Sequence, residues 1–150
     1  MTLIEKRKLK YPDTNTFHYY NANPKNRITT DCVIRALSRG MNKPYNEVVM
    51  ELALLQCETG YDDGDKKLYD TYLKNNGWTK HKQPRKWDNT KYTGKEWCLK
   101  LREDYDWTLG KSQNMIANIG GHHVVAIIDA KVNDIWNSTD GCIGNYWTID

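Results

Sequence analysis

The chain is poor in everything that would mark a membrane protein, a disulfide scaffold or a metal site. No apolar run approaches the roughly 20 residues needed to span a bilayer. The opening Met1-Thr2-Leu3-Ile4-Glu5-Lys6 lacks the apolar core of a signal peptide, so a cytoplasmic protein is expected, with no membrane partner. Cys32, Cys57, Cys98 and Cys142 are widely spread, with no close pair of the metal-binding kind. Free thiols in a reducing compartment are therefore expected, with no metal and no organic cofactor. Net charge is only +3, which does not by itself imply nucleic acid. Phenylalanine occurs once and proline four times, and no repeat or low-complexity tract is present. What the 150 residues do have is six Trp and ten Tyr, large rings that carry a polar handle into a single-domain core.

The stretch that organises the chain is Thr29-Thr30-Asp31-Cys32-Val33-Ile34-Arg35-Ala36-Leu37. Thr29, Thr30 and Asp31 suit the cap of a helix, and Val33, Ala36 and Leu37 recur at helical spacing. A helix is expected from Cys32, ending by Gly40. Its N-terminus would favour thiolate over thiol at Cys32 through the helix dipole and the unpaired N–H groups. The plainer role for a half-buried cysteine is a small core residue.

In chain order, residues 1–20 read as an extended, basic then aromatic arm, and residues 21–27 as a loop with Asn23-Pro24 as a turn signal. Pro44 opens a second helix that buries Val48, Val49, Leu52 and Leu55 and stops before Gly60. Asp62-Asp63-Gly64-Asp65 lacks the ligand spacing of a calcium loop and reads as a helix start. A third helix over 66–75 buries Leu68, Tyr69, Tyr72 and Leu73. Residues 79–102 are the most basic part, with Trp87, Tyr92 and Trp97 interleaved. They read as a solvated loop leading into a short helix over 94–103 that buries Trp97, Leu99 and Leu101. After Tyr105-Asp106-Trp107 the pattern turns to strands, over 115–119, 123–128, 132–136 and 146–149. Helices first and strands second predict an α+β protein, with an arm over 1–20, a domain over 21–150, and N-terminal helices packed on a C-terminal antiparallel sheet.

His123 opens the most apolar strand, and Asp134 lies eleven residues on, across a tight connection at Asp129-Ala130-Lys131. Cross-strand neighbours sit about 5 Å apart, so the carboxylate can orient the imidazole. The ring's other nitrogen would take the proton of Cys32 and leave a thiolate–imidazolium pair. His122 adjoins His123 and points to the opposite face of a strand. His123 is preferred because it directly precedes the apolar run, and the sequence leaves the reverse open.

A Cys at a helix start, then a His opening a hydrophobic strand, then an Asp on the next strand resembles the papain-like cysteine peptidase superfamily. The nearest members are its minimal bacterial and phage domains, such as bacteriocin-processing peptidases. The likeness covers roughly residues 21–149. It implies a papain-like fold, with Cys32 as nucleophile, His123 as general base and acid, and Asp134 orienting His123. It also implies an oxyanion donor six residues before the cysteine, at Asn26, with Asn23 as substitute, beside the Cys32 backbone N–H. Trp136, two residues after Asp134, would shield the His–Asp bond. The Cys-Gly-Ser-Cys-Trp signature is replaced here by Thr-Asp-Cys-Val-Ile-Arg-Ala. The expected activity is hydrolysis of a peptide or isopeptide bond in a protein or peptide substrate. The alternative is an inactive binding or effector protein of the same fold, phage-like, that captures a protein or nucleic acid with Trp87, Trp97 and Trp136 as contact rings. A nucleic-acid binder using Lys80 to Arg102 is a third reading, with the steep salt dependence of phosphate contacts.

Overall fold

The computed structural model describes residues 1–104 and 113–149, so the pattern switch at Tyr105-Asp106-Trp107 lies outside the described residues. Six strands make one sheet: β1 (Phe17–Tyr19), β2 (Thr79–His81), β3 (Met115–Ile119), β4 (His123–Ile128), β5 (Lys131–Asp134) and β6 (Ile143–Thr148). Their spatial order is β1-β5-β4-β3-β6-β2. Among the described residues five helices join them: α1 (Leu3–Lys10), α2 (Cys32–Met41), α3 (Tyr45–Thr59), α4 (Lys66–Asn75) and α5 (Gly94–Glu103). The protein is α+β.

Alternate residues of the strands feed two cores. Ile116 and Val124 turn to the face covered by α2, α3 and α4, where Leu37, Val48, Leu52, Leu68 and Leu73 are buried. Met115, Ala117, Ile119, Val125 and Ile127 turn to the other face, against Phe17, Trp97 and Cys98. With both faces covered, β4 reads as a continuous apolar run after His123, and β3 does so but for Asn118, whose amide donates to the Tyr69 hydroxyl at 2.9 Å. Each buried Val, Leu or Ile contributes roughly 1.5–3 kcal/mol.

The expected antiparallel sheet is mixed. β1 pairs in parallel with β5, Phe17 opposite Val132 and Tyr19 opposite Asp134. Residues 1–20 are thus more than an extended arm. They form α1, closed by a Thr2/Glu5 capping box, and the edge strand β1, in which Phe17 is fully buried. Residues 79–81, read as loop, form the opposite edge, antiparallel to β6.

The helices follow their patterns with local shifts. α2 runs past Gly40 to Met41 and ends on Asn42, which takes the left-handed conformation at φ 52°. Gly40 is there for contact, not as a stop: a Cβ on it would lie 2.7 Å from Ile116 Cγ1, so α2 sits close on β3. α3 buries Val48, Leu52 and Leu55 while Val49 is exposed, and it ends on left-handed Gly60. The acidic turn before α4 is its cap, the Asp65 carboxylate accepting the Lys67 N–H at 2.8 Å. α5 buries Gly94, Trp97 and Cys98, whereas Leu99 is exposed.

Candidate active site

Asp31 is the N-cap residue of α2, yet its carboxylate does not cap the helix. Oδ1 accepts Arg35 Nε at 2.7 Å, and Oδ2 accepts the Tyr45 hydroxyl at 2.6 Å and Asn23 Nδ2 at 3.1 Å. The first backbone N–H of α2 with an intrahelical acceptor is that of Arg35, bound to the Asp31 carbonyl at 3.0 Å. The Asp31 side chain therefore leaves the start of α2, at Cys32 and Val33, open to other acceptors. Half-buried Cys32 lies close enough to the imidazole of His123 and the backbone amide of Val124 for both to act on its thiol.

His123 is brought there by a glycine turn. Gly120 and Gly121 take φ of 63° and 95°, a region that favours glycine, and close β3 onto β4 with Ile119 opposite His123. On the other side, Asp129 and Ala130 at φ 51° and 58° close β4 onto β5 as a two-residue hairpin. The register pairs Ala126 with Asn133, so one step on, Val125 faces Asp134. His123 and Asp134 are therefore diagonal neighbours, within reach of a long side chain. His123 Nε2 lies 2.5 Å from Asp134 Oδ2, which leaves Nδ1 as the ring nitrogen for Cys32. Asp134 Oδ1 accepts the backbone N–H of Ile135 at 2.7 Å and a guanidinium hydrogen bond from Arg35 Nη1. The N-terminal elements brace the same strand. The Tyr20 N–H donates to the Asp134 carbonyl at 2.9 Å, and Arg7 Nη2 to the Ile135 carbonyl at 2.8 Å.

The electrostatics follow from these contacts. Burial pushes the Cys32 thiol up, but the His123 hydrogen bond, the Val124 amide and the charges of His123 and Arg35 outweigh it and bring it below the ordinary value. Burial likewise disfavours the imidazolium of His123, yet bonds and charge from Asp134 and Cys32 raise it to about 9. Asp31 is held below its usual range, the Tyr45, Arg35 and Asn23 bonds overcoming its burial. Burial and the bond to Asp31 push Tyr45 up to about 12. Side chains of opposite polarity thus follow one another from Asp31 through Arg35 and Asp134 to His123, beside Cys32.

Arg35 is the residue the sequence reading missed. It is only 6% exposed, although a charged side chain on a helix normally reads as a solvated position. The available signals were its place between apolar Val33, Ile34, Ala36 and Leu37, and the i,i+4 spacing from Asp31.

The other candidates are dispersed. Asn26 is exposed, in a left-handed turn whose N–H donates to the Asn23 carbonyl at 2.9 Å. Among the described residues no hydrogen bond joins it to Cys32, His123 or Asp134. Asn23 is buried, its amide committed to Asp31 and Tyr45. His122 is exposed on the turn before β4. Trp136 lies against His123, ring centroids 4.9 Å apart. Trp97 is a core residue, not a contact ring: it packs against Tyr92 and Tyr146 and donates Nε1–H to Met115 Sδ at 3.1 Å. Trp87 alone of the three is fully open, 98% exposed. Several cations of the basic segment are paired, Lys86 with Glu96, Lys95 with Asp140 and Lys100 with Asp104. With Trp97 and Tyr92 turned inward, the segment offers no row of rings on which bases could stack.

Cys98 is buried, and that burial pushes its thiol up to about 12, while Cys57 and Cys142 are exposed. Among the described residues no group of His, Cys, Asp and Glu is arranged to hold a metal, and no helix is long and apolar enough to cross a membrane. No protein-family model, curated protein or solved structure matches the chain.

Proposed function

We propose that this chain is a papain-like thiol hydrolase that cleaves a peptide or isopeptide bond. The observation that carries the reading is the His123–Asp134 pair, Nε2 held 2.5 Å from Oδ2, with half-buried Cys32 at the start of α2 close enough for His123 to act on its thiol. A cysteine so paired is nucleophilic because the thiolate, not the thiol, attacks.

In the proposed reaction the Cys32 thiolate adds to the carbonyl carbon and forms a tetrahedral oxyanion. Backbone N–H groups at the start of α2 donate to that oxygen, where the helix dipole adds its positive end. The imidazolium of His123 then gives its proton to the departing amine, and the C–N bond breaks to leave a thioester on Cys32. Neutral His123 next takes a proton from water as that water attacks the thioester, and the acid product leaves with the thiolate restored. Asp134 keeps the ring in the tautomer and orientation that both proton transfers need. Asn26 enters this scheme from the family resemblance alone.

The test is the pH dependence of iodoacetamide alkylation, resolved site by site by mass spectrometry, in the wild type and His123→Ala. Cys32 is expected to react well below the ordinary thiol range of about 8.5, and His123→Ala to abolish the acid-range reactivity. Cys57 and Cys142 serve as internal reference sites, and Cys98 should stay unlabelled while the protein is folded. A Cys32 that behaves as an ordinary thiol in both proteins sinks the reading and favours the inactive binding fold.

A further inference from the structure

We propose that Arg35 is a positioning residue of this site, one that clamps Asp134 to the helix carrying Cys32 and so sets the reach of His123 to the thiol. The inference rests on the thiol-hydrolase reading for its catalytic consequence, but the clamp itself does not need it.

The geometry has three parts. Arg35 lies one turn after Cys32 on α2, so its guanidinium and the thiol move as one rigid body. Its fork is filled from two sides, Nε by Asp31 Oδ1 at 2.7 Å and Nη1 by Asp134 Oδ1. Asp31 is itself immobilised by the Tyr45 hydroxyl and the Asn23 amide. Fixing Oδ1 of Asp134 between Arg35 and the Ile135 N–H leaves Oδ2 as the oxygen for His123. The nucleophile and the acid–base pair sit on different elements, α2 and the β4–β5 hairpin. Arg35 is the buried side chain that joins those elements by a charge-assisted bond next to the reacting atoms.

A guanidinium can do this and an ammonium cannot. The planar fork addresses two carboxylates at fixed angles, whereas lysine is a point charge on a flexible stem. Arg35→Lys keeps the positive charge beside Asp134 and Cys32, so a change it causes reports geometry rather than charge. A merely structural ion pair predicts the opposite: once Arg35→Lys is folded, nothing at His123 should alter.

The experiment has two readouts. The first is alkylation of Cys32 against pH in wild type and Arg35→Lys. Arg35→Lys is expected to lose about tenfold to a hundredfold of the acid-range rate, the size of effect that follows from misplacing a reacting group by about an ångström. The second is the 15N chemical shift titration of His123 in Cys32→Ala and in Cys32→Ala/Arg35→Lys, which does not depend on thiol reactivity. There the His123 titration should move down toward an ordinary imidazole, about 6.5, when Arg35 becomes Lys. If Arg35→Lys does not fold, Asp31→Ala replaces it in both readouts. It removes the second anchor of Arg35, leaves the Arg35–Asp134 pair, and should shift both in the same direction by less. A folded variant with the wild-type alkylation profile and an unmoved His123 titration overturns the proposal. An ordinary Cys32 in the wild type, with a His123 titration that still responds to Arg35→Lys, would remove the hydrolase and leave the clamp.

Discussion

The rings of His123 and Trp136 lie 4.9 Å apart at a tilt of 40°, so the indole lies against the imidazole that is bonded to Asp134. Trp136 is 38% exposed and holds no place in either core, so its removal should spare the fold. Trp136→Ala is expected to cost less than about 1 kcal/mol in urea unfolding, as surface changes usually do. Water would then reach the His123–Asp134 bond and weaken it. The 15N titration of His123 should fall below that of the wild type, and acid-range alkylation of Cys32 should drop with it. An unmoved titration would show that Trp136 shields nothing.

The pH dependence of stability has a definite sign. His123 is raised to about 9 in the folded chain, against roughly 6.5 for an unfolded histidine. Its contribution is therefore fully present below about 6.5 and is lost as pH rises through about 9. Cys32, shifted down, acts in the other sense: its contribution is present above the unfolded thiol range and is lost as pH falls through the folded value. Melting temperatures of wild type and His123→Gln, taken from pH 6 to pH 10, check this. The gap between the two proteins is expected to narrow as pH rises through about 9; a gap that widens there would contradict the sign.

Much of this was legible in the sequence because it is local. Helices 32–41, 45–59, 66–75 and 94–103 announce themselves by period, caps and stops, and the hairpins by their turns. The order Cys32, His123, Asp134 was also legible, since each residue sits at the end of a recognisable element. Three things were not, and each depends on distance along the chain. The strand Phe17–Tyr19 is three residues long, and its partner is more than a hundred residues away, so no periodicity marks it. Arg35 reads as a solvated helical charge until Asp134 arrives from β5 to bury it. The face of α5 reads as Trp97, Leu99 and Leu101, yet residues 94, 97 and 98 are the ones that turn to a core built from both ends of the chain, and Leu99 is exposed.

The seat of α2 depends on a hydrogen atom. A Cβ at Gly40 would lie 2.7 Å from Ile116 Cγ1 and 3.0 Å from its Cδ1. Gly40 takes ordinary helical backbone, so Gly40→Ala brings a helix-propensity gain of about 1 kcal/mol against an overpacking cost of about 1–3 kcal/mol. The net is expected to be a modest loss of stability. A larger effect should appear at the site, because α2 must lift from β3 to admit the methyl. Denaturant unfolding and acid-range alkylation of Gly40→Ala together check this: a small change in the first and a clear drop in the second are expected. Ile116→Ala in the same chain removes both of those carbons and should return reactivity toward wild type, at the stability cost of a smaller core side chain.

Asp134 tests whether the site needs a carboxylate or only its shape. Oδ1 already accepts two donors, Arg35 and the Ile135 N–H, and Oδ2 faces His123 Nε2. In Asp134→Asn the amide has one oxygen, and the two donors at the Oδ1 position hold it there. The NH₂ must then point at Nε2, which can only accept from it and so cannot carry a proton. The ring is driven to the Nδ1–H tautomer, the one that cannot take a proton from Cys32. Asp134→Asn should thus be close in volume to the wild type yet lose about 10⁴-fold in any thiol-dependent rate, as a carboxylate-to-amide change does elsewhere when it inverts the tautomer. The buried ion pair is broken as well, at a cost of about 3–5 kcal/mol in urea unfolding. The 15N spectrum of His123 decides between the two sources of loss. An Nδ1–H ring in folded Asp134→Asn assigns the lost rate to the tautomer, whereas an Nε2–H ring would mean that the amide has turned its oxygen to the imidazole and left Arg35 and the Ile135 N–H facing an NH₂.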